Sequence, residues 1–195
     1  MELKRVCYKR LYQTVKILPR YQHWLKYYVS ESFRNSYSYL KAEKKTGVPW
    51  QIIASIHSLE CAFDMNRQIL NGQKWDRKTT ISPKNKGPFK NWQESTICAF
   101  EMHNYKLCAD EISIESVLRF LEKWNGWGYA NKGLNSPYLW ALSNHGEGVG
   151  KFIKDGIYDP KAESKQLGAA LLIKELNNYK TVSIFNFIND KYVKS

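Results

Sequence analysis

Long apolar runs are missing from this sequence: nothing approaches the roughly 18 consecutive apolar residues of a membrane-spanning helix, so no integral membrane segment is expected. A secretion signal is missing as well. The opening segment MELKRVCYKRLYQTVKILPR interrupts every apolar stretch with Lys or Arg and leaves no apolar core of the roughly 7–15 residues that signal peptides carry. Synthesis in the cytoplasm is the expectation that follows. Cysteine is sparse, and Cys7, Cys61, Cys98 and Cys108 form neither a CxxC pair nor Cys/His ligand spacing. This argues against a zinc module or a dense disulfide framework, and the thiols are expected to be free and buried as small hydrophobes. His23, His57, His103 and His145 also lack ligand partners at metal spacing, so neither metal nor cofactor is expected. There is no internal repeat, zinc finger, Gly-rich phosphate loop or aromatic RNA-binding signature.

What is present is a basic, aromatic chain. Its 195 residues are 43% hydrophobic, long enough to bury one substantial core and short for two, so a single domain is expected, working as a monomer. With 30 Lys and Arg against 18 Asp and Glu, the formal charge is +12. Such a charge attracts polyanions, whether nucleic acid, anionic lipid or bacterial wall polymers, and does not choose among them.

Along the chain, Leu3, Val6, Cys7, Leu11, Val15 and Leu18 recur at near-helical spacing among basic residues, and Pro19 ends the pattern. Residues 1–45 read as a basic helical extension packed on a domain spanning 46–195. From Tyr21 to Lys45 the text suits one long helix or two, stopped by Thr46-Gly47. Pro49 suits the first turn of a new helix carrying Ile52, Ile53, Ile56, Leu59 and Phe63 at the helical period. Between Asn71 and Lys90, Gly and Pro punctuate a polar stretch around Thr79-Thr80-Ile81, which fits a loop or a short hairpin. Asn91 and Glu94 have the spacing of a helix N-terminal cap, opening a helix to about Cys108. Two further amphipathic helices are marked by Ile114, Val117, Leu118, Leu121 and Trp124 and by Leu167, Ala170, Leu171, Ile173 and Leu176. An irregular aromatic and Gly-rich segment, Trp127 to Gly156, separates them.

Glu60 is the first candidate for chemistry, because it ends an apolar helix and shares the stripe of Ile53 and Ile56. Partial desolvation disfavours the charged form of a carboxyl, which suits a general acid. A surface Glu at a helix end fits the same position. Asp64, one turn on, and Asp76, in the polar loop, are the nearest second carboxylates, as nucleophile or base for water, and each also reads as an ordinary polar residue. His57 stands three residues before Glu60, where it could orient that carboxylate, or serve as a structural histidine. The aromatic, amide and hydroxyl groups of Trp124 to Tyr129 and Asn135 to Trp140, with Asn125, Tyr129 and Tyr138 among them, suit sugar binding by ring stacking and hydrogen bonding. Nucleobase stacking uses similar groups.

The run Ile52-Ile53-Ala54-Ser55-Ile56-His57-Ser58-Leu59-Glu60 resembles a bacterial and phage family of lysozyme-like proteins. So do Asn71-Gly72, Thr79-Thr80, Gly87-Pro88-Phe89 and Trp92-Gln93-Glu94-Ser95, then Asn125-Gly126-Trp127-Gly128-Tyr129 with Ser136-Pro137-Tyr138-Leu139-Trp140. Lys151-Phe152, Tyr158-Asp159-Pro160 and Gln166-Leu167-Gly168 continue it in order. The resemblance, from about Thr46 to Leu176, implies a mainly α, lysozyme-like α+β fold of two helical lobes with a substrate cleft. It further implies a short loop or β-hairpin after the helix that carries the catalytic residue. The implied activity is cleavage of the β-1,4 bond between N-acetylmuramic acid and N-acetylglucosamine in peptidoglycan glycan strands. Glu60 carries over as the acid, with Thr79 and Tyr129 as substrate-site positions. Gln73-Lys74-Trp75 departs from the family's Asp-Pro-Leu, so an acidic partner there is missing or has moved to Asp76.

Under this reading the positive charge draws the protein to anionic wall polymers, and the protein acts on the wall after release from the cell or from a virion. A non-catalytic wall- or glycan-binding module is the main rival. A nucleic-acid binder is the second, with no specific nucleic acid expected as partner.

Overall fold

A computed structural model of the protein describes residues 7–104, 113–154 and 156–179. Leu3, Val6, Cys108, Asp155 and the tail after Thr181, on which parts of the sequence reading fall, lie outside the described residues. In chain order the elements are α1 (Tyr8–Thr14), a 3-10 turn (Pro19–Tyr21), α2 (Gln22–Arg34), α3 (Ser36–Thr46), α4 (Trp50–Cys61), α5 (Trp92–Met102) and α6 (Ile114–Trp124). The one-turn helices α7 (Gly128–Asn131) and α8 (Pro137–Trp140), strands β1 (Lys151–Lys154) and β2 (Ile157–Asp159), and α9 (Ala169–Asn178) follow. The described residues are therefore mainly helical with one small antiparallel sheet, the coarse class expected from the sequence. Among them no helix is long and apolar enough to cross a membrane. They divide into two compact units, residues 7–28 with 113–179, and residues 29–104.

In the first unit α6 opens on a reciprocal cap, with Ser113 Oγ accepting from the Ser116 N–H and Ser116 Oγ from the Ser113 N–H. It closes at Asn125-Gly126, where Gly126 takes φ +84°. α9 buries Ala169 to Ile173 and Leu176, as its broad apolar pattern predicts. α1 packs on α6: the Lys9 N–H donates to Glu115 Oε2 at 2.9 Å, and Tyr8 is buried under the Arg119 guanidinium. The helix expected up to Leu18 stops four residues earlier, at Thr14. The reason is long-range: residues 16–18 pair in extended form with 142–144, through Leu18 N–H to the Leu142 carbonyl and Asn144 N–H to the Lys16 carbonyl. Lys174 Nζ from α9 then donates to the carbonyls of Tyr12, Gln13 and Val15, supplying the cation that a helix C-terminus favours.

Of the loop and hairpin options after α4 the loop forms, and the hairpin lies later in the chain. β1 and β2 pair Lys151 with Asp159 and Phe152 with Tyr158, β1 inside the stretch read as irregular and β2 just past its end. After α4 the polar segment is a loop with a single bridge, Arg67 to Lys74, and Thr79-Thr80-Ile81 forms no strand.

In the second unit α3 packs on both α4 and α5. Of the two options for residues 21–45, two helices form, α2 and α3, meeting at Asn35, and α3 ends at Gly47 with φ +72°. Pro49 is the residue before the first turn of α4 rather than within it. Asn91 Oδ1 accepts from the Glu94 N–H at 2.9 Å, while Glu94 Oε2 accepts from the Lys90 N–H at 2.6 Å, so Glu94 has the capping role its spacing suggests. Of the described cysteines only Cys61 is buried; Cys98 is half-buried and Cys7 exposed, which corrects the expectation of buried thiols.

Candidate functional site

α4 is buried around almost its whole circumference, its polar Gln51, Ser55, His57 and Ser58 included: Trp50 to Leu59 and Cys61 are all buried. Glu60 alone in this helix is half-buried. The chain turns sharply straight after it, because Ala62 and Phe63 both take left-handed backbone conformations, φ 49° and 64°, that side chains other than glycine adopt rarely. The returning loop then closes on the backbone of Glu60. A Cβ on Gly72 would lie 2.8 Å from the Glu60 carbonyl oxygen, and Gly72 has φ +71°, so both space and conformation require glycine there. Gly72 is fixed in turn by its N–H to the Gln68 carbonyl at 3.0 Å and by Arg67 Nη1 donating to its carbonyl at 2.8 Å. The Asn71-Gly72 pair is thus the clamp on the end of α4.

His57 does not meet Glu60. Its side chain is fully buried, with Nδ1 2.8 Å from the Tyr39 hydroxyl and Nε2 3.1 Å from the Asp64 carbonyl oxygen. A carbonyl only accepts, so Nε2 carries the proton and Nδ1 accepts from Tyr39. Burial holds the ring neutral and lowers its pKa to about 4. Neither nitrogen is left for the Glu60 carboxylate, and the structural reading of His57 is the one the geometry favours.

Asp64 lies past the end of α4, not one turn along it. Its Oδ1 accepts from the Asn66 N–H at 2.9 Å and its Oδ2 pairs with Arg67 Nε at 3.1 Å. The Asn66 N–H first, and Arg67 after it, hold this carboxyl below the usual range. Asp76 is exposed and paired with Arg77 at 3.1 Å, which lowers its pKa likewise. Thr79 is buried, and its hydroxyl donates to the Pro83 carbonyl and accepts from the Lys86 N–H at 3.0 Å. Gln73 ties the same loop through Oε1 to the Thr80 N–H at 2.8 Å and through Nε2 to the Thr80 hydroxyl at 2.9 Å. Glu60, Asp64, Asp76, Thr79 and His57 therefore share the second unit, and His57, Asp64 and Thr79 serve the local build of the helix end and the loop after it.

Asn125, Tyr129 and Tyr138 belong to the first unit. Asn125 is exposed at the end of α6, its amide 3.5 Å from the Ser136 hydroxyl. Tyr129 is buried with its hydroxyl accepting from the Phe152 N–H at 2.9 Å, and burial raises its pKa. Its ring stands edge-on to Phe152, centroids 4.9 Å apart, so Tyr129 anchors the hairpin. Tyr138 is half-buried on α8.

One group escaped the sequence reading. Glu122 on α6 is 2% exposed, its Oε1 buried without a hydrogen-bond partner, and burial lifts its pKa to about 7. Its signal was available: it stands four residues after Leu118 and five after Val117, both fully buried, which places a carboxyl on the packed side of an amphipathic helix. Among the described residues no group of three or more His, Cys, Asp or Glu side chains is placed to hold a metal ion. Comparison with family models, with characterised proteins and with solved structures finds no match.

Proposed function

We propose that the chain is a lysozyme-like glycosidase that cleaves the β-1,4 bond between N-acetylmuramic acid and N-acetylglucosamine in peptidoglycan, with Glu60 as general acid. The observation that carries this reading is the position of Glu60, the one half-buried residue of an otherwise buried helix, clamped at its backbone by Gly72. A general acid must hold its proton until the glycosidic oxygen takes it, and partial burial of a carboxyl favours the protonated form while leaving it open to a substrate. The ordered sequence blocks from Thr46 to Leu176 support the same reading.

Glu60 gives its proton to the glycosidic oxygen as the C1–O bond breaks, and the sugar develops oxocarbenium character. With Asp64 held by Asn66 and Arg67, and Asp76 by Arg77, a mechanism with one essential carboxyl is favoured. The electron-poor carbon is then captured either by the muramyl C6 hydroxyl, giving a 1,6-anhydro end, or by water, giving a reducing end. In both cases the nucleophile's proton returns to the Glu60 carboxylate.

Mass spectrometry of purified peptidoglycan treated with the wild type and with Glu60→Gln tests this. Muropeptides are expected from the wild type alone, and their ends distinguish transglycosylation from hydrolysis. Equal release by both proteins removes Glu60 from the chemistry. No release from walls of several chemotypes by a wild type that still binds them replaces the enzyme with a glycan-binding module.

A further inference from the structure

The second unit carries a concave surface that the proposed chemistry does not use. α3 presents Lys41, Lys44 and Lys45 at i, i+3 and i+4, so they share one side of the helix, and all are exposed. Lys90, just before α5, completes a rim of four lysines around a groove of about 680 Å3. That volume lies within the roughly 300–1,000 Å3 typical of small-ligand sites. Phe89, Ile97 and Cys98 form its apolar floor, each half-buried. Glu94 and Glu101 also line it, but four lysines against two carboxylates leave the rim net positive. Lys86 adds to the field: burial raises the pKa of the Cys98 thiol, and the Lys86 charge opposes that rise.

A second observation extends the pattern outward. On α3, Tyr37 is 70% and Leu40 45% exposed, and the Lys41 ammonium stands 4.4 Å from the Tyr37 ring centroid. An exposed Tyr and Leu beside three lysines, next to an apolar floor, is the composition of a surface that lies on an anionic bilayer. A hydrated glycerol-phosphate polymer gains nothing from Phe89, Ile97, Tyr37 or Leu40, and an uncharged apolar partner gains nothing from the lysines. An acidic phospholipid uses both.

We propose that the α3–α5 groove is a docking site for an acidic phospholipid at a bilayer surface. The lipid phosphate pairs with the ammonium groups of Lys41, Lys44, Lys45 and Lys90. Its glycerol and upper acyl carbons rest on Phe89 and Ile97, while Tyr37 and Leu40 enter the interface. Membrane docking of this kind is independent of Glu60 and needs no glycan.

Flotation of the full chain with phosphatidylcholine vesicles, with and without phosphatidylglycerol, tests it. Binding is expected only with phosphatidylglycerol. At about five-fold per lysine, the Lys41→Gln/Lys44→Gln/Lys45→Gln variant should lose on the order of a hundred-fold in partitioning. Exposed Lys154, Lys161 and Lys165 in the first unit supply a charge-matched control, expected to lose less than about five-fold. Alkylation followed by peptide mass spectrometry provides a readout within the groove: phosphatidylglycerol vesicles should slow modification of Cys98 and leave the exposed Cys7 unchanged. Absence of flotation, equal losses in the two triple variants, or equal protection of Cys98 by a soluble glycerol-phosphate polymer would each overturn the proposal. None of these readouts depends on wall cleavage.

Discussion

His57 shows how far a single residue's neighbours in sequence mislead about its neighbours in space. Spacing puts it within reach of Glu60, yet its ring lies between Tyr39 and the Asp64 carbonyl, and against Trp92 at 5.1 Å. The partner that decides its role, Tyr39, is 18 positions away, so no local pattern reveals it. Tyr39→Phe should therefore leave a buried nitrogen acceptor without its donor, at a cost of roughly 1–3 kcal/mol, read as a lower urea midpoint. Catalysis by the folded protein should survive. A variant as stable as the wild type would show that the Tyr39–His57 bond contributes nothing. Thr79 carries the same lesson, since a hydroxyl spent on Pro83 and Lys86 builds the loop before it can bind anything else. The half-buried position of Glu60 was readable because its signal is local: one carboxyl at the end of a helix that carries Ile52, Ile53, Ile56 and Leu59.

At the scale of elements, helices that are packed by their own period were readable, and those shaped by distant pairing were not. α4, α6 and α9 follow their apolar spacing, and the α5 cap follows from Asn91 and Glu94. α1 is shorter than its pattern because residues 16–18 are drawn into pairing with 142–144, and β1 and β2 are strands of four and three residues, too short to show alternation. The turn that clamps α4 offers a sharper test. Gly47 and Gly72 have nearly the same backbone, φ +72° and +71°, but a Cβ at Gly47 meets nothing within 4 Å, whereas at Gly72 it meets the Glu60 carbonyl at 2.8 Å. Gly47→Ala should cost about 1 kcal/mol in thermal or urea unfolding and leave the proposed wall cleavage intact. Gly72→Ala adds a collision with the backbone of the proposed acid, so it should cost more and lower the cleavage rate of the protein that remains folded. Equal activity in the two variants would disconnect the Asn71-Gly72 turn from the site.

At the scale of the whole molecule, two buried titrating groups among the described residues, His57 and Glu122, have effects on stability that run in opposite directions with pH. His57, in the second unit, has its folded pKa lowered to about 4 from 6.5, so the stability it contributes is complete above 6.5 and is lost as pH falls towards 4. Glu122, in the first unit, is raised to about 7 from 4.5; its contribution is complete below 4.5 and is lost as pH rises through 7. Each window corresponds to on the order of 3 kcal/mol. A melting curve of the whole chain sums the two and should vary little between about pH 5 and 6.5, where their slopes cancel. Hydrogen exchange resolves them. Over that interval, and after correction for intrinsic exchange rates, amides of α4 should gain protection while amides of α6 and α9 lose it. Glu122→Gln should flatten the α6 and α9 trend alone, because a neutral amide has no proton to release. Protection that moves in the same direction in both units would mean that one of the two groups titrates at its ordinary value, and the variant would identify which.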